Sequence, residues 1–236
     1  CHSLGASYKC RKVGCLADIS CFSFHPVKPI TTGEGGAAVT MDPKLASRVR
    51  LFRNHGITTD HRQRQHLGTW HYEMVDLGFN YRLSDIHCVL GVSQLRKLES
   101  WLGRRQSIAR RYDEEFARSG SIKSLTVSTH VSHAYHLYVV RWHSEDAEVD
   151  RVSAFQHLRA AGLSVNVHYI PVHLHPFYRD RFGTRSGMCP VAETAYDQIL
   201  SLPIFPSMSD SDVNHVIRES LLVADRCTSN ARPSAA

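Results

Sequence analysis

The feature that most constrains this chain is the run Ser23-Phe24-His25-Pro26-Val27-Lys28-Pro29-Ile30, in which one lysine follows an apolar stretch and stands between two prolines. Each proline fixes its own φ and removes a backbone donor, so neither a helix nor a central strand continues through the segment. The preceding Ile19–Phe24 suits a strand, Thr31-Thr32-Gly33-Glu34-Gly35-Gly36 a tight turn, and Ala37-Ala38-Val39-Thr40 a second strand. Two strands therefore flank a stiff loop with an amine on its rim. Such an amine suits Schiff-base chemistry, because desolvation lowers a lysine's pKa and frees its lone pair. A solvated lysine in a proline-rich surface turn fits the same residues.

Asp42-Pro43 caps a helix that carries Leu45, Val49, Leu51 and Phe52 to about Arg53. The polar stretch Thr58–Gly68 reads as a mobile surface loop. Ser84 then opens a long helix on which Ile86, Val89, Leu90, Leu95, Leu98, Trp101, Leu102, Ile108, Tyr112 and Phe116 recur at three- and four-residue intervals, a helix suited to linking two domains. Further on, the pattern predicts a strand over Ala134–Trp142, a helix over Val152–Ala161 ended by Gly162, a strand over Leu163–Tyr169 and a terminal helix over Asp210–Asp225. The fold class is α/β. The expected division is one domain over residues 1–100, a smaller one over 101–227 that includes the linking helix, and a disordered tail over 228–236.

The 28 basic residues against 22 acidic ones give a formal charge of +6, which suits nucleic acid, a membrane surface or an anionic small substrate. The basic pairs Arg96-Lys97, Arg104-Arg105 and Arg110-Arg111 alternate with Glu99, Asp113, Glu114 and Glu115, the pattern of a solvated helix face, so no nucleic acid is expected. The apolar runs Ile86–Val92 and Ile199–Phe205 stop far short of a membrane span, and no membrane partner is expected. Seven cysteines without a CxxC pair suggest reduced thiols and a cytoplasmic location. Trp70, Trp101 and Trp142 are expected in a core or an interface. The chain opens on Cys1-His2-Ser3-Leu4-Gly5, with no initiator Met, and is expected to begin part-way through a fold.

Three motifs stand in order: His2-Ser3-Leu4-Gly5-Ala6, the lysine segment from Ser23 to Gly36, and Gly78-Phe79-Asn80-Tyr81-Arg82-Leu83-Ser84-Asp85. Together they resemble the DegT-type family of pyridoxal-phosphate-dependent sugar-nucleotide aminotransferases, over Cys1 to about Arg226. The resemblance implies the aspartate-aminotransferase architecture (fold type I), with the later part of its large domain followed by the whole small C-terminal α/β domain. It implies pyridoxal 5'-phosphate as cofactor, Lys28 as the lysine that carries it and moves the proton, Ser23 as a phosphate ligand, and His2 beside the cofactor ring. Asn80 matches the asparagine that reaches the cofactor phosphate of a second subunit, which implies a homodimer. Arg82 lies two residues on and fits either a substrate anion or a salt bridge with Asp85. In the family an aspartate three residues ahead of the His2 position pairs with the cofactor's ring nitrogen. Here it would precede Cys1, so these residues alone are expected to transaminate poorly.

The segment Val167-His168-Tyr169-Ile170-Pro171-Val172-His173 resembles the family's sugar-nucleotide pocket and assigns substrate binding to His168, Tyr169 and His173. His173 and His175 also suggest a metal, but no Cys or carboxylate is spaced as a further ligand, so none is expected. The substrates implied are glutamate and a UDP-linked 4-keto-6-deoxy amino sugar, for bacterial surface glycans of the pseudaminic acid type. A histidine replaces the lysine in related dehydratases, and Lys28 argues against them. A non-catalytic, partner-binding subunit of the same fold is the alternative.

Overall fold

A computed structural model describes residues 2–142 and 151–229, with 226–229 by their backbone only. Cys1, the side chain of Cys227 and the tail from residue 230 lie outside the described residues. The chain up to Ser100 forms one compact unit together with Thr129–Ala134, and a second is formed by Trp101–Ser128 and the chain from Tyr135 on. No helix among the described residues is long and apolar enough to cross a membrane.

In the first unit, β1 (Ser7–Tyr8) and β2 (Arg11–Lys12) form a hairpin whose tip residues Lys9 and Cys10 adopt positive φ, and β6 (Val131–Ser132) pairs on the other side of β1. The apolar runs on either side of the lysine loop become β3 (Ser20–Ser23) and β4 (Gly36–Val39), antiparallel, with Ser23 opposite Gly36. Helix α1 (Pro43–Arg53) starts where Asp42 accepts from the Lys44 and Leu45 amides, with proline at its first turn.

Two helical expectations are corrected. Part of Thr58–Gly68 is not a loop but α2 (His61–Leu67), opened by a reciprocal Asp60–Gln63 capping box and closed by Gly68 at φ +64°. The long helix is two: α3 (Asp85–Leu95), capped by Ser84, and α4 (Leu98–Phe116). Between them the Lys97 amide turns back to Gln94 O at 3.0 Å, a three-residue closure that ends the first helix.

The second unit is built on the antiparallel sheet β5-β7-β8, from β5 (Ile122–Ser124), β7 (Tyr138–Trp142) and β8 (Ile199–Leu202). Helices α4, α5 (Arg151–Ala160) and α8 (Asp210–Ser229) bury Ile108, Tyr112, Phe116, Leu158, Val213 and Val216 in its core. Trp142 is buried there, whereas Trp70 of the first unit is 84% exposed. The expected strand over Leu163–Tyr169 reduces to one bridge between Asn166 and Ser201, because the chain meets β8 at that point alone. The helices α6 (Pro176–Phe182) and α7 (Pro190–Gln198) were not foreseen, although each opens on a proline. Helix α8 takes in Thr228 and Ser229, the first residues of the expected tail.

Arg105 is a buried cation in this core, and its Nη1 donates to the carbonyls of Ile204 at 2.8 Å and Tyr135 at 3.1 Å. Burial pushes its pKa down. The two carbonyls lie just after β8 and just before β7, so one side chain ties α4 to the flanks of both.

Candidate functional site

The lysine loop is closed by its own amides and a threonine hydroxyl. Phe24 N donates to Gly35 O at 2.8 Å, Thr32 N donates to Phe24 O at 3.0 Å, and the Thr31 hydroxyl donates to the same carbonyl at 2.9 Å. Gly35 holds φ +150° where a Cβ would lie 2.5 Å from Thr32 Oγ1, so no larger residue fits this return. His25–Lys28 is a tight turn with Pro26 at its second position and the Lys28 amide donating to His25 O at 2.9 Å. Ile30 and Thr32 are buried beneath it and Lys28 is half-buried.

Lys28 Nζ lies 2.9 Å from His2 Nε2, so the structure brings together two residues 26 positions apart. Among the described residues no carboxylate stands within ion-pair distance of Lys28. Its neighbour is an imidazole, a neutral ring in which one nitrogen donates and the other accepts. Ser23 Oγ stays on the same loop and accepts from the His25 amide at 3.4 Å.

Asn80 and Arg82 lie on a second segment of the same unit. Residues 79–81 run antiparallel to the end of α1: Phe79 N donates to Phe52 O at 2.7 Å, and Tyr81 N donates to Arg53 O at 3.0 Å. Two glycines allow the crossing, since a Cβ on Gly78 would stand 2.1 Å from Gly56 N. Asn80 bridges Asn54 through the backbone and is exposed. Arg82 Nη1 donates to Asn54 Oδ1 at 2.9 Å, while Asp85 pairs with Arg62 at 3.3 Å. Of the two roles open to Arg82, the salt bridge with Asp85 is not formed among the described residues, and the arginine takes a neutral acceptor brought in from the end of α1.

His168, Tyr169 and His173 belong to the second unit. His168 Nδ1 is 2.8 Å from Ser201 Oγ, and Tyr169 is exposed. His173 Nε2 is 2.8 Å from Glu193 Oε1. Glu193 also accepts from Ser186 Oγ at 2.7 Å, from Gly187 N at 2.9 Å and from Cys189 N at 3.2 Å. These donors, led by Ser186, hold its carboxyl down to about 2. Sequence reading missed Glu193, because its partners lie up to 20 residues away and meet it only through the fold of α7. No cluster of three or more His, Cys, Asp or Glu side chains suited to a metal occurs among the described residues.

Comparison with known proteins follows the same segments. The DegT/DnrJ/EryC1/StrS aminotransferase family profile matches residues 1–220. Over 215 residues the chain is 38% identical to UDP-4-amino-4,6-dideoxy-N-acetyl-beta-L-altrosamine transaminase of Campylobacter jejuni, covering 91% of this chain and 54% of that one. Helicobacter pylori PseC, an aminotransferase involved in the biosynthesis of pseudoaminic acid, matches with a TM-score of 0.85 at 31% identity, over 95% of this chain and 58% of its own. The pyridoxal-phosphate form of Streptococcus pneumoniae Spr1654 matches with a TM-score of 0.84 at 32% identity, over 96% and 56% respectively. The chain spans about half the length of the curated relatives it matches.

Proposed function

Because the chain belongs to the DegT/DnrJ/EryC1/StrS aminotransferase family, we propose that it carries the lysine-bearing part of a pyridoxal-phosphate-dependent sugar-nucleotide aminotransferase. The observation that carries this reading is the contact of 2.9 Å between Lys28 Nζ and His2 Nε2, on a loop closed by its own hydrogen bonds.

The residues present fit the cofactor. Lys28 offers a half-buried amine without a carboxylate counter-charge, Ser23 offers a hydroxyl for a phosphate oxygen on the same loop, and Asn80 offers an exposed amide. Bound there, pyridoxal phosphate supplies an electron sink that makes a carbon-bound proton removable. The chain's own residues then orient and carry protons. Lys28 accepts and returns a proton at Nζ, and His2 Nε2 fixes the direction of that amine. Arg82, held by Asn54, presents a cation to an anionic substrate. His168, steadied by Ser201, and His173, steadied by Glu193, present imidazoles to a sugar nucleotide alongside the Tyr169 phenol.

We infer glutamate as amino donor and a UDP-linked 4-keto-6-deoxy amino sugar as acceptor, for bacterial surface glycans of the pseudaminic acid type. The altrosamine transaminase and PseC support that choice. A cytoplasmic homodimer with poor transamination by these 236 residues alone completes the proposal. The test is borohydride reduction of the chain with added pyridoxal phosphate, followed by peptide mapping. Label is expected on Lys28 and absent from Lys28→Ala; label retained by that variant overturns the assignment.

A further inference from the structure

The second unit fixes His173 at two places. Its carbonyl accepts from the Thr184 hydroxyl at 2.7 Å, and its ring Nε2 stands 2.8 Å from Glu193 Oε1. The short turn Val172–Leu174 carries it, closed by Leu174 N donating to Pro171 O at 2.9 Å. Both side chains of the His173–Glu193 pair are largely covered. Backbone and ring are held together, so the direction of the imidazole is set by the fold.

The chemistry of the partner decides which nitrogen of His173 carries the proton. A neutral imidazole donates from one nitrogen and accepts at the other, whereas an ionised carboxylate can only accept. Glu193 is ionised at neutral pH, since Ser186, Gly187 and His173 hold its carboxyl down to about 2. Nε2 is therefore the donor, and in the neutral ring the lone pair is left on Nδ1. His168 differs. Its Nδ1 meets the Ser201 hydroxyl at 2.8 Å, and a hydroxyl either donates or accepts, so that contact by itself leaves the tautomer open.

We propose that Glu193 is a positioning residue that locks His173 in its Nε2–H form, so that Nδ1 meets the substrate as a hydrogen-bond acceptor. The group it recognises is then a donor on the hexose of the sugar nucleotide, a hydroxyl or an amide N–H. A diphosphate oxygen brings no proton and does not satisfy it. An acceptor fixed in this way sorts substrates by the hydroxyl or acylamino pattern of the sugar, because a sugar without the donor leaves Nδ1 unpaired. The inference rests on the reading of His173 as a substrate residue and deepens it, while the tautomer itself needs neither substrate nor cofactor.

The test is nitrogen-15 NMR of the histidine rings in the 236-residue chain, recorded at rising pH until the ring signals stop moving, with the His173 signals identified by their loss in His173→Gln. In the neutral ring, Nε2–H is expected to outweigh Nδ1–H by at least about tenfold, the least that a hydrogen bond to a charged group gives. Glu193→Gln is expected to lose most of that preference, because a carboxamide both accepts and donates. Ser186→Ala removes a loop contact to the same carboxylate and is expected to keep the preference. Added UDP-N-acetylglucosamine, which brings hexose hydroxyls and an amide N–H, is expected to shift Nδ1, and UDP is expected to leave it in place. Four results overturn the proposal: Nδ1–H dominant in the neutral ring; a preference unchanged in Glu193→Gln; a preference lost as fully in Ser186→Ala as in Glu193→Gln; or Nδ1 moved by UDP as much as by the sugar nucleotide, or by neither. The tautomer is read without ligand, so a failed lock and a failed role of His173 toward substrate are separate results, and neither depends on label at Lys28.

Discussion

Helices α3 and α4 follow one another in the chain with two residues between them, yet they meet water in opposite ways. Helix α3 is the more apolar, with Ile86, Val89, Leu90, Val92 and Leu95 among eleven residues, and it buries none of them. Helix α4 is rich in charge, yet it buries Arg105, Ile108, Ala109, Tyr112 and Phe116. Apolar content therefore does not decide burial; the presence of a surface to pack against does. The second unit supplies one in its sheet, and α4 places an apolar stripe on it at three- and four-residue spacing. The first unit supplies α3 with a polar loop, so the helix sets Gly91 and Gln94 against it and leaves its large apolar residues exposed.

The sharpest way to break this comparison is to remove core from the unit that has one. Leu158→Ala empties a fully buried site on α5 and is expected to cost about 2–5 kcal/mol. Urea unfolding followed by the emission of the buried Trp142 measures it. A loss below about 1 kcal/mol would mean the second unit is packed no better than the first.

Gly78→Ala tests what holds the first unit, where few side chains are buried. The added methyl meets Gly56 N at 2.1 Å and the His55 carbonyl carbon at 2.5 Å, both backbone atoms that cannot swing aside. Overpacking of this kind costs about 1–3 kcal/mol, and here it falls on the hydrogen bonds of Phe79 and Tyr81. Those two amides are expected to exchange faster in the variant, with the unfolding of the second unit unchanged. Coupled loss in both units would show that they do not melt separately.

Much of the fold was legible where a local signal exists. Asp42-Pro43 and Ser84 mark helix starts by their chemistry, and the lysine loop is written in its prolines and glycines. The break between α3 and α4 was not legible, because Arg96 and Lys97 are good helix formers and no Gly or Pro marks the place. Helix α2 was legible and passed over: Asp60 and Gln63 three residues apart, with Gly68 behind, outweigh the polarity that suggested a loop. At the site, the family motifs name both His2 and Lys28, but the contact between them appears only in the fold. The Asn54 partner of Arg82 and the Glu193 partner of His173 come from distant parts of the chain and carry no local mark.

Glu193 sharpens the comparison from the polar side, since the second unit organises even its surface loops around a single carboxylate. The carboxyl is held down to about 2 by Ser186, Gly187 and His173. A carboxyl with a depressed pKa contributes fully above its ordinary range and loses that contribution as the pH falls toward the depressed value. Glu193→Gln is therefore expected to speed exchange at the Gly187 and Cys189 amides near neutral pH, with the difference closing as the pH approaches about 2. A difference that persists unchanged into acid would show that the carboxylate charge is not what binds the loop.

The smallest effect is the most discriminating. Ile86 stands 83% exposed, so truncating it removes almost no packing in the chain alone. What remains is helix propensity, and there alanine is better than a β-branched residue because it loses no χ1 freedom. Ile86→Ala is thus expected to leave stability within about 0.5 kcal/mol and to shift it, if at all, upward. A comparable substitution in the core of the second unit has the opposite sign, because there lost contacts outweigh propensity. Helicity of α3 read by amide exchange in the two variants decides the matter: a clear loss from Ile86→Ala in the isolated chain would mean that this side chain is already covered, and the contrast between the two helices would then be one of degree.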